Sequence, residues 1–459
     1  MAVLIRGGTV VDDGRSMRCD VRMENSLITQ VGEELPEAGC MVVDAQGCLV
    51  FPGFIDAHTH LDMDTGATRT ADDFGTGSRA ALTGGTTTII DFATQEKDGD
   101  LIQALTKWHA KADGVSSCDY AFHMAITDWN AQVRSQIARM PRHGVTSFKL
   151  YMAYDNLRIN DAELYQVLDE VKSIGGIAGA HCENGDLVNV LTAKLWEAGC
   201  LSPAFHPASR PDVVEAEAVW RFLHIARLAD VPVHIVHLST SEALEAVRAA
   251  RKCGQKVYVE TCPHYLLLDD SRYRLPGFEG AKYVCSPPLR GEKDIAALWE
   301  ALGTGEIQSV STDHCSFFFK GQKELGLHDF SKIPGGLPGI EHRPALIYTY
   351  GVRTGRITPG QMAALLSGNA ARLFGMYPQK GAVRPGSDAD LVIWDPHASG
   401  VIRAAEQQQQ TDYTPYEGMS VTGAPRMVFL RGRKAVENGR LLLEKQGKYI
   451  FRQKHNGIL

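Results

Sequence analysis

The sequence predicts an α/β fold, namely a (β/α)8 TIM-type barrel with a small β-sandwich domain built from both chain termini. Three observations support this prediction. Eight short apolar runs each precede a helix-length stretch, which is the pattern of parallel βα units. Strand character occurs before the first of these runs and again near the end of the chain. The length of 459 residues suits one large barrel with a companion domain.

The companion domain is predicted from the two ends of the chain. Residues 1 to 50 alternate in polarity or are β-branched, and strand and hairpin character returns after residue 380. We therefore assign 1–50 and 377–459 to the β-sandwich domain and 51–376 to the catalytic barrel. The two halves of the small domain must then meet across about 330 intervening residues, a topology that a barrel can hold together.

The barrel is predicted from eight runs, the number that a closed (β/α) barrel needs. The runs are FPGFIDAHTH (51–60), TTTIIDFA (86–93), YAFHMAITD (120–128), VTSFKLYMA (145–153), GIAGAH (176–181), VPVHIVHLS (231–239), KVYVETCPH (256–264) and IQSVSTDHC (307–315). The stretches between them are expected to form the outer helices. One of these, DAELYQVLDEVKSIG, is expected to begin just after Asn160, whose side chain can cap a helix.

Charge and composition exclude several classes of partner. The chain has 47 Lys and Arg against 54 Asp and Glu, a net charge of −7, and so has no electrostatic footprint for nucleic acid. It has no run of about 18 apolar residues and no apolar signal-peptide core before Arg6. The ten cysteines are scattered without a Cys-x-x-Cys pair. We expect a cytoplasmic protein without a nucleic-acid or membrane partner.

A His-x-His pair, His58 and His60, ends the first run. Residues i and i+2 of an extended segment point the same way, so both imidazoles can face the barrel mouth. Such a pair alone is a weak metal signature, since two histidines can equally be packed or exposed. Its place after a buried run favours a metal site, because catalytic groups collect at the carboxyl ends of barrel strands.

Further ligand-type side chains are expected at the same edge of the barrel. They are Lys149, His181, His237 and Asp313. Taken singly, either histidine could be a hydrogen-bonded core residue and the aspartate could cap a turn. Together, five strand ends converge, which favours a metal centre over five coincidences. Six other histidines lie mid-run or on helices and loops and are interpreted as structural: His109, His123, His143, His206, His224 and His234.

The predicted ligand set indicates two divalent ions, with zinc as the ion that it suits best. Four neutral imidazoles and one carboxylate suit zinc, and they are too many for one catalytic ion that keeps an open position. The ammonium of Lys149 cannot bind a cation, but a desolvated lysine among cations loses its proton readily. The free amine can take up carbon dioxide and become a carbamate able to bridge both ions. A salt-bridged or snorkelling lysine is the alternative interpretation.

These residues stand in segments that resemble the hydantoinase and dihydropyrimidinase branch of the amidohydrolase superfamily, over essentially the whole chain. Matching segments include GFIDAHTHLDM, SFKLYMAY, AHCENGD, ETCPHYLLLD, SPPLR, STDHCSF and KIPGGLPGIE. The resemblance implies an oligomer, usually a homotetramer and sometimes a dimer, with two zinc ions and an N6-carboxylysine at Lys149. It implies in addition that the ions share Lys149 and a hydroxide, and it divides the other ligands into two sets: His58, His60 and Asp313 on one ion, and His181 and His237 on the other.

The same resemblance implies three substrate contacts. Tyr154 matches the family tyrosine whose hydroxyl points at the reacting carbonyl oxygen, and Ser286 matches a residue that holds the cyclic diamide through its main chain. The third contact departs from the family pattern, because Pro334-Gly335-Gly336 stands where many relatives have Pro-Asn-Gly. Since that contact is made by backbone groups, Gly335 can preserve it in a looser turn.

The implied reaction is hydrolysis of a cyclic ureide, a 5-substituted hydantoin or a dihydropyrimidine, to an N-carbamoyl amino acid with D-selectivity. Asp313 is expected to move the proton and Tyr154 to stabilise the oxyanion. Allantoinase and dihydroorotase are alternatives with the same metal site. Dihydroorotases typically have Arg at the position of Asp62, and allantoinases lack the tyrosine. A non-catalytic scaffold similar to the collapsin response mediators is disfavoured, because all six ligand positions are filled.

Overall fold

The computed structural model describes residues 2–12, 14–455 and 457. Their strands form two sheets. In chain order the strands are β1 (Ala2–Asp12), β2 (Arg15–Glu24), β3 (Leu27–Gly32), β4 (Cys40–Asp44), β5 (Leu49–Pro52), β6 (Phe54–Thr59), β7 (Thr86–Thr94), β8 (Asp119–Ala125), β9 (Ser147–Tyr151), β10 (Ile177–His181), β11 (Val233–Ile235), β12 (Val257–Thr261), β13 (Ser309–Val310), β14 (Leu391–Val401), β15 (Ser420–Leu430), β16 (Arg433–Glu437) and β17 (Arg440–Leu441).

Strands β6 to β13 form the predicted barrel. They lie in sequence order and all of their pairings are parallel. The first and last strands approach each other beyond their ends, where the amide of His60 donates to the carbonyl of His314 at 2.8 Å and Thr59 forms a parallel bridge to His314. The (β/α)8 prediction is therefore confirmed.

The first predicted run contains two strands rather than one. Its opening residues, Phe51 and Pro52, pair with β14 in the terminal sheet, and Phe54–Thr59 then forms the first barrel strand. Gly53 lies between them, and a Cβ there would be 2.1 Å from Oγ1 of Thr87. Only glycine therefore fits where the chain crosses from one sheet to the other.

The helices of the barrel follow the predicted stretches. They are α1 (Phe74–Thr83), α2 (Leu101–Ala112), α3 (Ala131–Ile137), α4 (Asp161–Ser173), α5 (Gly185–Glu197), α6 (His206–Ser209), α7 (Asp212–Ala229), α8 (Ser241–Lys252), α9 (Pro263–Leu267), α10 (Glu292–Thr304), α11 (Arg343–Ile347), α12 (Pro359–Ala363) and α13 (Asn369–Leu373). Asn160 caps α4 as expected, since its Oδ1 accepts from the amides of Ala162 and Glu163 at 3.0 Å each. No described helix is long and apolar enough to cross a lipid bilayer.

The two chain termini meet in a nine-stranded sheet, as predicted. Its order is β17-β16-β15-β14-β5-β1-β2-β3, with β4 paired to β1. The antiparallel pairing of β5 with β14, which places Pro52 opposite Leu391, joins the N-terminal strands to the C-terminal ones. An apolar core separate from that of the barrel packs within this sheet, with residues such as Ile5, Val50 and Ile393.

A buried ion cluster connects the barrel to the terminal sheet. Nζ of Lys380 lies 2.5 Å from carboxylate oxygens of both Asp119 and Asp390 and 3.0 Å from Asp388. Arg431 also pairs with Asp119. The three carboxylates are close enough to bind a metal ion, but the ammonium of Lys380 already lies among them and balances their charge.

Candidate metal centre

The six predicted ligand side chains lie at the carboxyl ends of the barrel strands. His58 and Lys149 are within strands β6 and β9, His181 ends β10, and the other three follow a strand end: His60 follows β6, His237 follows β11 and Asp313 follows β13. His237 and Asp313 have positive φ values of 39° and 49°, which ordinary residues adopt at some cost in backbone strain. The backbone thus departs from the extended conformation at His237 and at Asp313.

His58, His60 and Asp313 form one group of possible ligands. Oδ1 of Asp313 lies 3.1 Å from Nε2 of His60 and 3.2 Å from Nε2 of His58. One ligand atom from each of the three residues falls within 4.8 Å of the others. Nε2 of His58 is buried and, among the residues that the structure describes, makes no well-directed hydrogen bond, although Oδ1 of Asp313 lies 3.2 Å away. A buried imidazole nitrogen without such a bond is what a metal ligand requires.

His181 and His237 form a second group beside the first. Nδ1 of His181 lies 3.0 Å from Nε2 of His237. The His237 ring centroid is 4.8 Å from that of His181 and 5.4 Å from that of His58. The four imidazoles therefore form one continuous cluster at the barrel mouth.

Lys149 is buried beneath the cluster, with 1% of its surface exposed. Its Nζ lies 5.1 Å from the ring centroid of Phe92 and 5.5 Å from that of Tyr151. Burial lowers the pKa of Lys149 to about 8, against the opposing attraction of Asp313 and Glu260. About one tenth of this side chain is therefore an uncharged amine at neutral pH, far more than for an ordinary lysine.

Most of the histidines of the cluster are uncharged at neutral pH. Burial lowers the pKa of His60, His181 and His237. Burial also acts to lower the pKa of His58, but attraction to Asp313 outweighs it and leaves that pKa raised. Conversely, burial would raise the pKa of Asp313, and its attraction to His58 and His60 holds the pKa well below its ordinary value. Neutral imidazoles beside an ionised carboxylate are the protonation states that bind metal.

Two glutamates that are not among the predicted site residues hold the imidazoles in place. Oε1 of Glu260, in β12, lies 2.7 Å from Nδ1 of His58, and Oε2 of Glu183 lies 2.8 Å from Nε2 of His181. Arg210 bonds to the same oxygen of Glu183. These two glutamates are hard to recognise in the sequence, because each is a single acidic residue beside or within an apolar run. An acid inside a buried strand segment, as in VYVET, is the feature that could have identified Glu260.

A third acid outside the predicted set, Asp91, fixes the segment that carries His60. Its Oδ2 accepts from the hydroxyl of Thr59 and from the amide of Leu61 at 2.8 Å each, and its Oδ1 accepts from Nε1 of Trp108 at 2.9 Å. The residues on both sides of His60 are thereby tied to β7. The direction of the second imidazole of the His-x-His pair follows from this anchoring.

The three predicted substrate contacts lie together beside the histidines. The ring centroid of Tyr154 is 5.1 Å from that of His181, and the guanidinium of Arg210 lies 5.5 Å from the tyrosine ring. The side chain of Ser286 lies close enough to Tyr154 to act on its pKa, and a Cβ on Gly335 would be 3.5 Å from Oγ of Ser286. Burial raises the pKa of Tyr154 to about 12, so its hydroxyl keeps its proton and can donate.

Comparisons with known proteins agree with this geometry. The model of the amidohydrolase family matches residues 49–435. The chain is 43% identical to a D-hydantoinase of Geobacillus stearothermophilus, over 100% of this chain and 98% of that protein, and 42% identical to a D-hydantoinase of Ralstonia pickettii, over 99% and 100%. A crystal structure of dihydropyrimidinase from Brevibacillus agri NCHU1002 superposes with a TM-score of 0.98 at 41% identity, covering 99% of each chain. The chain belongs to the amidohydrolase family, in its hydantoinase and dihydropyrimidinase branch.

Proposed function

We propose that the protein hydrolyses the ring amide of cyclic ureides, namely 5-substituted hydantoins and dihydropyrimidines, to N-carbamoyl amino acids of the D series. The observation that carries the proposal is the convergence of four imidazoles, a carboxylate and a buried lysine at one end of the barrel, beside Tyr154. Relatives named D-hydantoinase, more than 40% identical over nearly all of this chain, support the substrate class and the stereochemical preference.

The side chains at the barrel mouth fit a pair of divalent ions, which we propose to be zinc. We assign His58, His60 and Asp313 to one ion and His181 and His237 to the other, with Lys149 shared. The approach of Nε2 of both His58 and His60 to Oδ1 of Asp313, at 3.2 Å and 3.1 Å, supports the first group. When bound, two such ions supply a nucleophilic hydroxide near neutral pH and positive charge that polarises a carbonyl.

Lys149 fits the site as a carbamate rather than as an ammonium. Its amine nitrogen attacks the carbon of carbon dioxide, forms a new C–N bond and releases one proton, which leaves an anionic group with two oxygens. The burial of Lys149 and its lowered pKa support this chemistry, because only the uncharged amine can react. The carbamate also adds the negative charge that a site with two divalent ions needs.

Two side chains of the site move the proton and stabilise the charge. We assign Asp313 the role of accepting the proton of the attacking water and then delivering it to the departing ring nitrogen. The ionised state of its carboxylate, which its low pKa ensures, suits the first of these steps. We assign Tyr154 the role of donating a hydrogen bond to the oxyanion that forms on the attacked carbonyl.

The substrate ring is held by main-chain groups in this proposal. Ser286 and Gly335 lie on facing loops beside Tyr154. Donors and acceptors of the peptide backbone suit a cyclic diamide, whose ring alternates N–H and C=O groups. Loops 62–73 and 151–159 border the same mouth, and we assign them the contacts with the 5-substituent.

A dihydroorotase-type substrate fits this mouth less well. Such a substrate brings its own carboxylate, and the side chain at the relevant place is an acid, Asp62. Its Oδ1 lies 2.9 Å from Nη1 of Arg69, so the arginine of this loop is already paired. A substrate without a charged ring substituent avoids the repulsion of Asp62.

We propose a homotetramer, and the exposed apolar surface of the outer helices supports association. Leu187, Val190 and Trp196 of α5 are exposed, as are Trp220 and Leu228 of α7, with exposed fractions of 59% for Trp196 and 75% for Leu228. Apolar side chains exposed to this extent mark interaction surfaces when they cluster. Light scattering on the purified protein tests the proposal, and a monomer over a wide range of concentrations would contradict it.

Steady-state kinetics on purified, metal-loaded protein tests the proposed function. Rates are measured separately with hydantoin, D-phenylhydantoin, L-phenylhydantoin and dihydrouracil as substrates. Mass spectrometry identifies the product as the N-carbamoyl amino acid. We expect turnover of at least one hydantoin, with the D-enantiomer preferred. Dihydroorotate and allantoin serve as comparison substrates, and faster turnover of either would overturn the assignment.

A further inference from the structure

Lys323 is a fully buried lysine outside the metal cluster, at the start of a short helical turn (Lys323–Gly326). Its Nζ donates to three main-chain carbonyls: that of Pro334 at 2.7 Å and those of Val284 and Gly336 at 2.9 Å each. An ammonium has three N–H donors, so these carbonyls match its capacity. Burying a charge is costly unless its hydrogen bonds are all made, so a lysine in this place indicates a specific use.

The three carbonyls belong to the two loops that carry the proposed substrate contacts. Those of Pro334 and Gly336 lie immediately before and after Gly335, and that of Val284 lies two residues before Ser286. The loops are bonded to each other as well, since the amide of Gly336 donates to the carbonyl of Val284 at 3.0 Å. Lys323 therefore fixes the peptide plane before Gly335, the plane after Gly336 and the segment leading to Ser286.

We propose that Lys323 is a positioning residue that holds the loops 284–286 and 334–336 at the spacing a cyclic diamide ring requires between the main-chain groups of Ser286 and Gly335. The inference rests on the proposed function for the identity of the ring. The three hydrogen bonds from Lys323 to the two loops, which we call the clamp, do not depend on the proposed function. Lys323 does not contact the substrate in this arrangement and acts through the backbone.

The absence of a side chain at residue 335 gives the clamp its importance. Around Gly335, only Oγ of Ser286 would come within 4 Å of an added Cβ, so no packing of its own side chain holds this loop. Burial lowers the pKa of Lys323 to about 7, against the opposing attraction of Cys285 and Cys315. The three short contacts with carbonyl oxygens favour the charged form, because a neutral amine has only two N–H bonds to donate. Hydrogen bonds to a charged donor are stronger than neutral ones, which suits the task of fixing a glycine-rich turn.

Replacement of Lys323 by methionine tests the proposal, because Met has a similar length and no donor. We expect Lys323→Met to raise KM for hydantoin at least tenfold while kcat changes less than threefold and the metal content stays at the wild-type level. The KM of Lys323→Gln, whose amide keeps two N–H donors, should lie between that of the wild type and that of Lys323→Met. Lys320→Met is the matched control, since Lys320 is an exposed lysine of the same segment, and its KM should equal that of the wild type.

Hydrogen exchange provides a second measurement that does not depend on turnover. In the unmodified protein, amide exchange of peptides covering 334–337 should be slow, and in Lys323→Met it should be at least tenfold faster, with barrel peptides such as 147–151 unchanged. Fast exchange at 334–337 in the unmodified protein would overturn the proposal even if the variants did not fold. An unchanged KM in a folded Lys323→Met would overturn it as well. If the wild type turned over no cyclic ureide, the proposed function would fail, and the exchange rates would still decide whether Lys323 holds the loops.

Discussion

Oε1 of Glu260 lies 2.7 Å from Nδ1 of His58, and both side chains are buried. In the neutral imidazole, this contact favours the proton on Nδ1 and directs Nε2 toward Asp313, whose Oδ1 lies 3.2 Å away. Burial would raise the pKa of Glu260, but attraction to His58 holds it at about 2, so the carboxylate is ionised at any working pH. The tautomer of His58, a proposed metal ligand, is thus set by strand β12, which lies two places from β6 around the barrel.

Glu260→Gln tests the importance of this contact. The amide is nearly the same size but neutral, so His58 should lose basicity while keeping its place. We expect metal affinity to fall by about 10- to 100-fold, as measured by competition with a chelator. Glu245→Gln, an exposed glutamate on α8, is the control and should bind metal like the wild type. Equal affinities of the two variants would show that Glu260 does not tune the site.

Tyr154→Phe tests the assignment of the oxyanion donor and its protonation state. We expect kcat to fall by about 10²- to 10³-fold, with a smaller change in KM. Because burial raises the pKa of the hydroxyl to about 12, it stays protonated throughout the range from pH 6 to 10. The basic limb of the pH–rate profile should therefore keep its position in the variant. A limb that disappears with the hydroxyl would mean that Tyr154 itself titrates in this range.

Asp313→Asn tests proton transfer at the metal centre. The amide can still approach His60, but it cannot accept a proton, so turnover should fall by about 10²- to 10⁴-fold. Substrate binding, followed by displacement of an inhibitor, should change far less. Asp186→Asn serves as the control, because Asp186 lies on the surface and is 80% exposed. Near-normal turnover by the Asp313 variant would refute its role in moving the proton.

Substitution by alanine should have little effect on stability at Gly335 and should destabilise the protein at Gly336. An added Cβ on Gly335 meets only Oγ of Ser286, at 3.5 Å, whereas one on Gly336, whose φ is 150°, would lie 2.5 Å from the carbonyl oxygen of Cys315. Gly335→Ala should therefore change the free energy of unfolding by less than about 1 kcal/mol. Gly336→Ala should destabilise the protein by about 1–3 kcal/mol, measured by denaturant unfolding.

Gly335→Asn extends this comparison to the family pattern. The open space beside Gly335 accommodates the asparagine that many relatives carry, so this variant should fold and turn over hydantoins like the wild type. A large loss of activity would mean that the looser turn is adapted to this chain. Thermal unfolding monitored beside the kinetics separates that outcome from simple misfolding.

The eight apolar runs and the polar residues at their ends were enough to predict the barrel. They also predicted that these polar side chains lie together at the carboxyl ends of its strands. His58 follows an apolar run, and Lys149 is a charged residue inside one, so both stand out against their neighbours. The crossing at Gly53 could not be predicted, because its need for glycine arises from contact with Thr87, which is distant in sequence. Glu260 has one sequence signal, an acid inside an apolar strand, but its partner His58 is known only from the fold. Lys323 has no such signal, because the carbonyls that identify it are brought to it by folding.

The number of divalent ions bound per chain in Lys149→Ala, beside the wild type purified in the same way, tests the central claim most directly. We expect two ions per chain in the wild type and fewer in the variant, together with loss of nearly all activity and partial recovery of both when a short carboxylic acid is supplied in place of the carbamate. A variant that keeps two ions and normal turnover would contradict the claim that Lys149 bridges a binuclear centre.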